Sequence, residues 1–119
     1  MKILLVDDES SQRNLLKGFL TNQGYDVLTA GDGEEACTLF SREPVQLVIL
    51  DHRMPGLTGD EVLKRLKALN PMVHAIMITA YGTVDTAVTA LKLGADDFME
   101  KPVDLAGLLQ KIQSIEQQI

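Results

Sequence analysis

The sequence predicts an α/β fold: a (βα)5 doubly wound sheet of five parallel strands, with residues 1–119 forming one domain. Short apolar runs alternate with longer segments of helical period along the whole chain. The runs are continuously apolar rather than alternating, as in strands covered on both faces. Each connection is long enough for a helical crossover, which makes neighbouring strands parallel and puts helices on both sides of the sheet.

The apolar runs fall at residues 3–6, 27–30, 47–50 and 75–78, with a weaker one at Phe98 and Met99. In the first helical segment Leu15, Leu16, Phe19 and Leu20 share a face, and Gly24 is the expected stop. The second opens near Asp32 and Gly33 and carries Ala36, Leu39 and Phe40. Thr58 and Glu61 have the spacing of a capping box for the third. Its apolar face is Val62, Leu63, Leu66 and Leu69, and Pro71 ends it. The fourth carries Val84, Ala87, Val88 and Leu91 before Gly94; the fifth follows Asp104 with Leu105, Leu108, Leu109, Ile112 and Ile115. These stripes are expected in the core. Met54, Pro55 and Gly56 read as a turn, and Asp96 and Asp97 as a surface turn before the last strand.

Composition narrows the function classes. With 119 residues, 45% of them hydrophobic, the chain can bury a core without disulfides or a structural metal. A net charge of −6 argues against direct nucleic-acid binding by this segment and is compatible with a metal cation. The single Cys37 cannot form an internal disulfide, and its neighbours Ala36, Leu39 and Phe40 indicate packing. No leader and no apolar stretch of membrane-spanning length is visible, so a cytoplasmic protein without membrane contact is expected. Met1 stands at the natural start of the first strand, which favours an N-terminal or stand-alone unit.

In an open parallel sheet, ligands bind beyond the carboxyl ends of the strands, where the strand order reverses. The first run is followed by Asp7, Asp8 and Glu9, the third by Asp51, the fourth by Thr79, and the fifth by Glu100, Lys101 and Pro102. Asp7, Asp8 and Asp51 would repel one another unless a hard cation joined them, and Mg²⁺ takes such oxygen ligands. Lys101 adds positive charge from another strand. An anionic nucleophile, a cation, an ammonium and a hydroxyl are the parts of phosphoryl transfer, and a carboxylate can itself accept the phosphoryl group.

On these residues the chain resembles the response-regulator receiver domains of two-component signalling. The resemblance rests on Asp7-Asp8, Asp51 in LVILDHRMPG, Thr79 in MITAYG, and Lys101-Pro102 in FMEKP. It implies the flavodoxin-like strand order 2-1-3-4-5. It implies Mg²⁺ (or Mn²⁺) on Asp8, Asp51 and the backbone carbonyl of Arg53, with Asp7 acting through water. Asp51 would be the phosphoacceptor for a sensor histidine kinase, and Thr79 and Lys101 would contact phosphoryl oxygens. Thr79 and Phe98 would form the switch, and a phosphorylation-dependent homodimer would pair through the fourth helix, fifth strand and fifth helix. A cis Lys101–Pro102 peptide is implied too. Residues 80–102 resemble receivers of nitrogen-regulator-class enhancer-binding activators, the sigma-54-dependent kind, which points to control of transcription.

Such a domain is a regulatory phosphoacceptor rather than an enzyme acting on separate substrates. A phosphorylation-independent interaction module would lack one of these residues, and none is missing. A haloacid-dehalogenase-like phosphatase needs a second Asp two residues after the nucleophile, where this chain has Arg53. His52 and His74 are too far apart for a zinc site and read as structural or exposed; Glu9 and Glu100 read as solvated or flanking the site.

Overall fold

Strand and helix alternate without exception in the computed structural model, which describes residues 1–80 and 82–119. The order is β1 (Lys2–Val6), α1 (Ser10–Asn22), β2 (Asp26–Ala30), α2 (Gly33–Arg42), β3 (Leu47–Asp51), α3 (Gly59–Leu69), β4 (His74–Thr79), α4 (Val84–Lys92), β5 (Asp97–Glu100) and α5 (Leu105–Glu116). All neighbouring strands are parallel, in the order β2-β1-β3-β4-β5. The chain reverses direction across the sheet after β2, so β1 and β3 become neighbours. Val6 pairs with both Ala30 and Leu50, which brings the residues after β1 and at the end of β3 to one edge.

The continuous apolar runs fill two layers. Leu4, Val6, Val48, Leu50, Ala75 and Met77 face α2, α3 and α4. Ile3, Leu5, Leu47, Ile49, Ile76 and Ile78 face α1 and α5, where Leu16, Leu20, Leu108, Ile112 and Ile115 close the layer. The capping box of Thr58 and Glu61 forms at the start of α3. Gly24 and Gly94 follow α1 and α4 at φ of +92° and +100°, a region that favours glycine and turns each chain back into a strand. The Lys101–Pro102 peptide is cis. No helix among the described residues is long and apolar enough to cross a membrane.

Some expected core positions lie outside the core. Leu15 is 56% exposed and Leu69 58% exposed, because each sits past the edge of the contact made by its helix. In α1 that contact runs through Leu16 and Leu20, one residue and about 100° round from Leu15. The larger correction concerns α4, where Val84, Val88 and Leu91 are all exposed. Of the expected face only Ala87 turns inward, half-buried; the sheet meets the side of the helix that carries Ala90, fully buried, and Leu93, which packs against the core. Helical period fixes that apolar residues share a face but not which of two faces meets the sheet. Asp97 does not lie in the turn; it is the first residue of β5 and pairs with Lys111 of α5 at 2.8 Å.

Truncating Leu63, which is fully buried, should cost about 2–5 kcal/mol of unfolding free energy. Leu69→Ala, on the same helix, should change stability by no more than about 0.5 kcal/mol. Urea denaturation of the two variants checks this, and equal losses would contradict the placement of α3.

Candidate functional site

The carboxyl edge of the sheet collects the polar side chains that the strands deliver. Asp51 is the last residue of β3 and 6% exposed; Asp7 directly follows β1 and is 3% exposed. Asp8 is exposed. A carboxylate oxygen from each of the three lies within 4.8 Å of the others. The Lys101 ammonium donates to Asp51 Oδ2 at 3.2 Å and stands 4.0 Å from Asp7 Oδ2. Its backbone is fixed by the Lys101 N–H, which donates to the Thr79 carbonyl at 2.8 Å.

Each residue is held by the local fold. The Asp7 amide donates to the Ala30 carbonyl at 3.1 Å, and Asp7 Oδ1 accepts from the Glu9 N–H at 2.9 Å. The chain after Asp51 is tied to β4 by the His52 N–H, which donates to the Ile78 carbonyl at 2.8 Å. Thr79 ends β4 and is 1% exposed. Phe98 lies on β5, opposite Met77, half-buried against the layer under α2, α3 and α4. Arg53 is exposed in the loop after β3. Of the loop at residues 79–82, Tyr81 lies outside the described residues.

The electrostatics follow from burial. Burial and the neighbouring charge of Asp7 raise the Asp51 carboxyl to about 6, against the downward pull of Lys101. Burial also raises Asp7, and the Glu9 N–H and Lys101 offset part of that rise. For Lys101 burial works downward, but the charges of Asp51 and Asp7 outweigh it and hold the ammonium above its ordinary value. Two buried carboxyls and a third at their rim thus face one ammonium, so the cluster is deficient in positive charge. Close oxygen ligands with excess negative charge fit a hard divalent cation.

The sequence-predicted acids and Lys101 therefore converge, with Thr79 at the adjoining strand end. The histidines stand apart, each against a carboxylate outside the cluster, His52 against Asp60 at 3.4 Å and His74 against Asp96 at 3.0 Å. Cys37 packs against the core, and burial pushes its thiol up, which keeps it protonated. Two contributors are not evident from the chemistry of the motifs. Gly59, the first residue of α3, lies against the backbone of Asp51. A Cβ there would overlap the Asp51 carbonyl oxygen and come within 2.9 Å of His52 Cα. Its one signal in the sequence is a glycine just after a capping threonine. Arg13 of α1 donates through Nη1 to the Asp7 carbonyl at 2.8 Å.

The chain's similarities agree with this geometry. The sequence profile of the Response regulator receiver domain matches residues 3–113. The chain is 45% identical over 114 residues to the probable transcriptional regulator ycf27 of Porphyridium aerugineum, covering 96% of this chain and 47% of that protein. It is 41% identical over 111 residues to the response regulator protein PilR of Pseudomonas aeruginosa, covering 93% of this chain and 25% of that protein. The chain thus spans less than half the length of these relatives. Among solved structures it resembles a chain of the CheX-CheY-BeF3-Mg complex from Borrelia burgdorferi. The TM-score is 0.92 and the identity 31%, covering 97% of this chain and 88% of that one.

The raised Asp51 carboxyl makes metal-free stability depend on pH. Below the ordinary value of 3.8 Asp51 is protonated in both states; between there and about 6 the unfolded chain releases the proton first. Stability should therefore fall with rising pH across this window, by on the order of 1–3 kcal/mol, while Lys101 stays charged and adds no slope. Asp51→Asn should flatten the decline and be more stable than wild type near neutral pH. Urea melts in chelator across the window check this; parallel curves for the two proteins would contradict it.

Proposed function

The chain belongs to the response regulator receiver domain family, and on that premise we propose that it is a phosphorylation-controlled switch whose phosphoacceptor is Asp51. The observation that carries this reading is the Lys101 ammonium, 3.2 Å from Asp51 Oδ2 inside a cluster whose three carboxylates lie within 4.8 Å of one another. With its carboxyl raised to about 6, Asp51 remains mostly ionised at neutral pH and is available as a nucleophile.

The donor is a phosphohistidine on a sensor histidine kinase. An Asp51 carboxylate oxygen forms a bond to phosphorus as the P–N bond breaks, and the imidazole leaves with the electron pair. Lys101 follows the charge from the carboxylate to a phosphoryl oxygen, and the Thr79 hydroxyl donates to another. Asp8, Asp51 and the Arg53 carbonyl would hold Mg²⁺ or Mn²⁺, with Asp7 acting through water. When bound, that cation supplies charge neutralisation for the phosphoryl oxygens. Slow hydrolysis of the acyl phosphate resets the domain, so it acts as a regulatory phosphoacceptor and not on separate substrates.

The output is control of transcription in the cytoplasm. The name of the ycf27 relative and the similarity to PilR support this, as does the resemblance of residues 80–102 to nitrogen-regulator-class activators. At a net charge of −6 this segment does not itself grip DNA. Residues 1–119 act as one receiver unit. The hydrogen bond from Thr79 draws the end of β4 inward, Phe98 moves from an outward to an inward position, and the face of α4, β5 and α5 pairs with a second copy. The exposed Val84, Val88 and Leu91 support that pairing surface.

Incubation with acetyl phosphate and Mg²⁺ tests the chemistry. The wild type should take up one phosphoryl group per chain, stable in acid and labile in base, and Asp51→Asn none. Equal uptake by Asp51→Asn would displace the assignment of Asp51.

Sedimentation with Mg²⁺ and beryllofluoride tests the switch. The mimic should favour the dimer, and Thr79→Ala should bind it without dimerising. An unchanged mass distribution in the wild type would remove dimerisation as the output.

A further inference from the structure

The β1–α1 turn carries Asp7 and Asp8, and Asp7 is anchored at three points. Its amide donates to the Ala30 carbonyl and its carboxylate accepts from the Glu9 N–H, at 3.1 and 2.9 Å. The third anchor comes from a side chain one helical turn away: Arg13 Nη1 donates to the Asp7 carbonyl at 2.8 Å. That carbonyl belongs to the same planar peptide as the Asp8 N–H, so holding it fixes the plane from which the Asp8 chain continues. Asp8 is exposed, and its direction is set by the backbone that carries it.

Two further features set Arg13 apart. The first turn of α1 has no acidic residue, and a cation at a helix N-terminus opposes the helix dipole. The dipole of α1 therefore does not favour an arginine here. The guanidinium also lies against the end of β2, where a Cβ on Gly31 would stand 3.4 Å from Arg13 Nη1, an ordinary contact distance.

We propose that Arg13 is a positioning residue of the cation site, fixing the Asp7–Asp8 peptide and thereby aiming the Asp8 carboxylate at Asp51. This rests on the cation-site reading given above. The sign of the effect separates positioning from charge. A guanidinium beside a cation site repels the cation, so removing it would tighten binding if charge were all that mattered. If Arg13 positions Asp8, removing it weakens binding.

The test is Mn²⁺ binding to the metal-depleted domain, followed by electron paramagnetic resonance, with far-UV circular dichroism to verify folding. Arg13→Met should weaken Mn²⁺ binding roughly 10–100-fold, the usual loss when a group orienting a metal ligand is removed. Arg13→Lys keeps a donor and a charge and should recover part of the affinity. Arg13→Gln is polar but too short to hold the Asp7 carbonyl in the same way. It should weaken binding in the same direction, and it supplies the measurement should Arg13→Met fail to fold. Folded Arg13→Met or Arg13→Gln protein that binds Mn²⁺ as well as the wild type, or better, would overturn the proposal. A wild-type domain that binds no Mn²⁺ would instead overturn the cation-site reading.

Discussion

Negative charge gathered at one sheet edge is the constraint on which the rest of the structure depends. Asp7 and Asp51 are both buried, with Asp8 at their rim and one ammonium, Lys101, between them. Two like charges about 4 Å apart repel by about 4 kcal/mol at the effective dielectric of a protein near its surface. The fold holds them together against that repulsion, and burial together with the charge of Asp7 pushes the Asp51 carboxyl up to about 6. A site in this condition has affinity for positive charge before any ligand arrives.

The scaffold meets the constraint through sheet order. Because β1 and β3 are neighbours, carboxylates far apart in sequence leave adjacent strands at one level. Leucine, isoleucine and valine fill both faces of those strands, so neither can slide to relieve the repulsion without exposing a layer of the core. Gly59 lets α3 begin directly against the Asp51 backbone, and Arg13 pins the turn that carries Asp7 and Asp8. The polar cluster is thus held from both sides of the sheet, by α3 on one and α1 on the other.

What the sequence made legible follows from which interactions are local. The three inner strands were readable because each carries a continuous apolar run, and α3 because Thr58 and Glu61 cap it within four residues. The site was readable because its side chains follow directly after the strands, where topology alone brings them together. The orientation of α4 was not. Val84, Val88 and Leu91 form with Ala87 as good a stripe as any core helix, and only contact with the sheet shows that Ala90 and Leu93 face inward beside Ala87. The contacts of Gly59 with Asp51 and of Arg13 with Asp7 depend on backbone approach and side-chain reach, which leave no period in the sequence.

The inverted packing of α4 bears on how such a switch can work. α3 is fastened to the sheet by Val62, Leu63 and Leu66, whereas in α4 only Ala90 is fully buried. An element with so little buried apolar surface belongs to the low-stability end of a fold and can shift without disrupting the core. Its exposed stripe has a counterpart use. Full burial of a valine or leucine is worth about 1.5–3 kcal/mol. If two copies pair through this face as proposed, the three side chains of each are buried together across a two-fold axis. That gross gain is of the same order as the ~4–15 kcal/mol that association costs. On that proposal, pairing through α4 would sit near balance, where a modest change in the shape of the face would decide whether two copies associate. A deeply buried α4 would leave no such surface, and a longer apolar stripe would pair regardless of the state of Asp51.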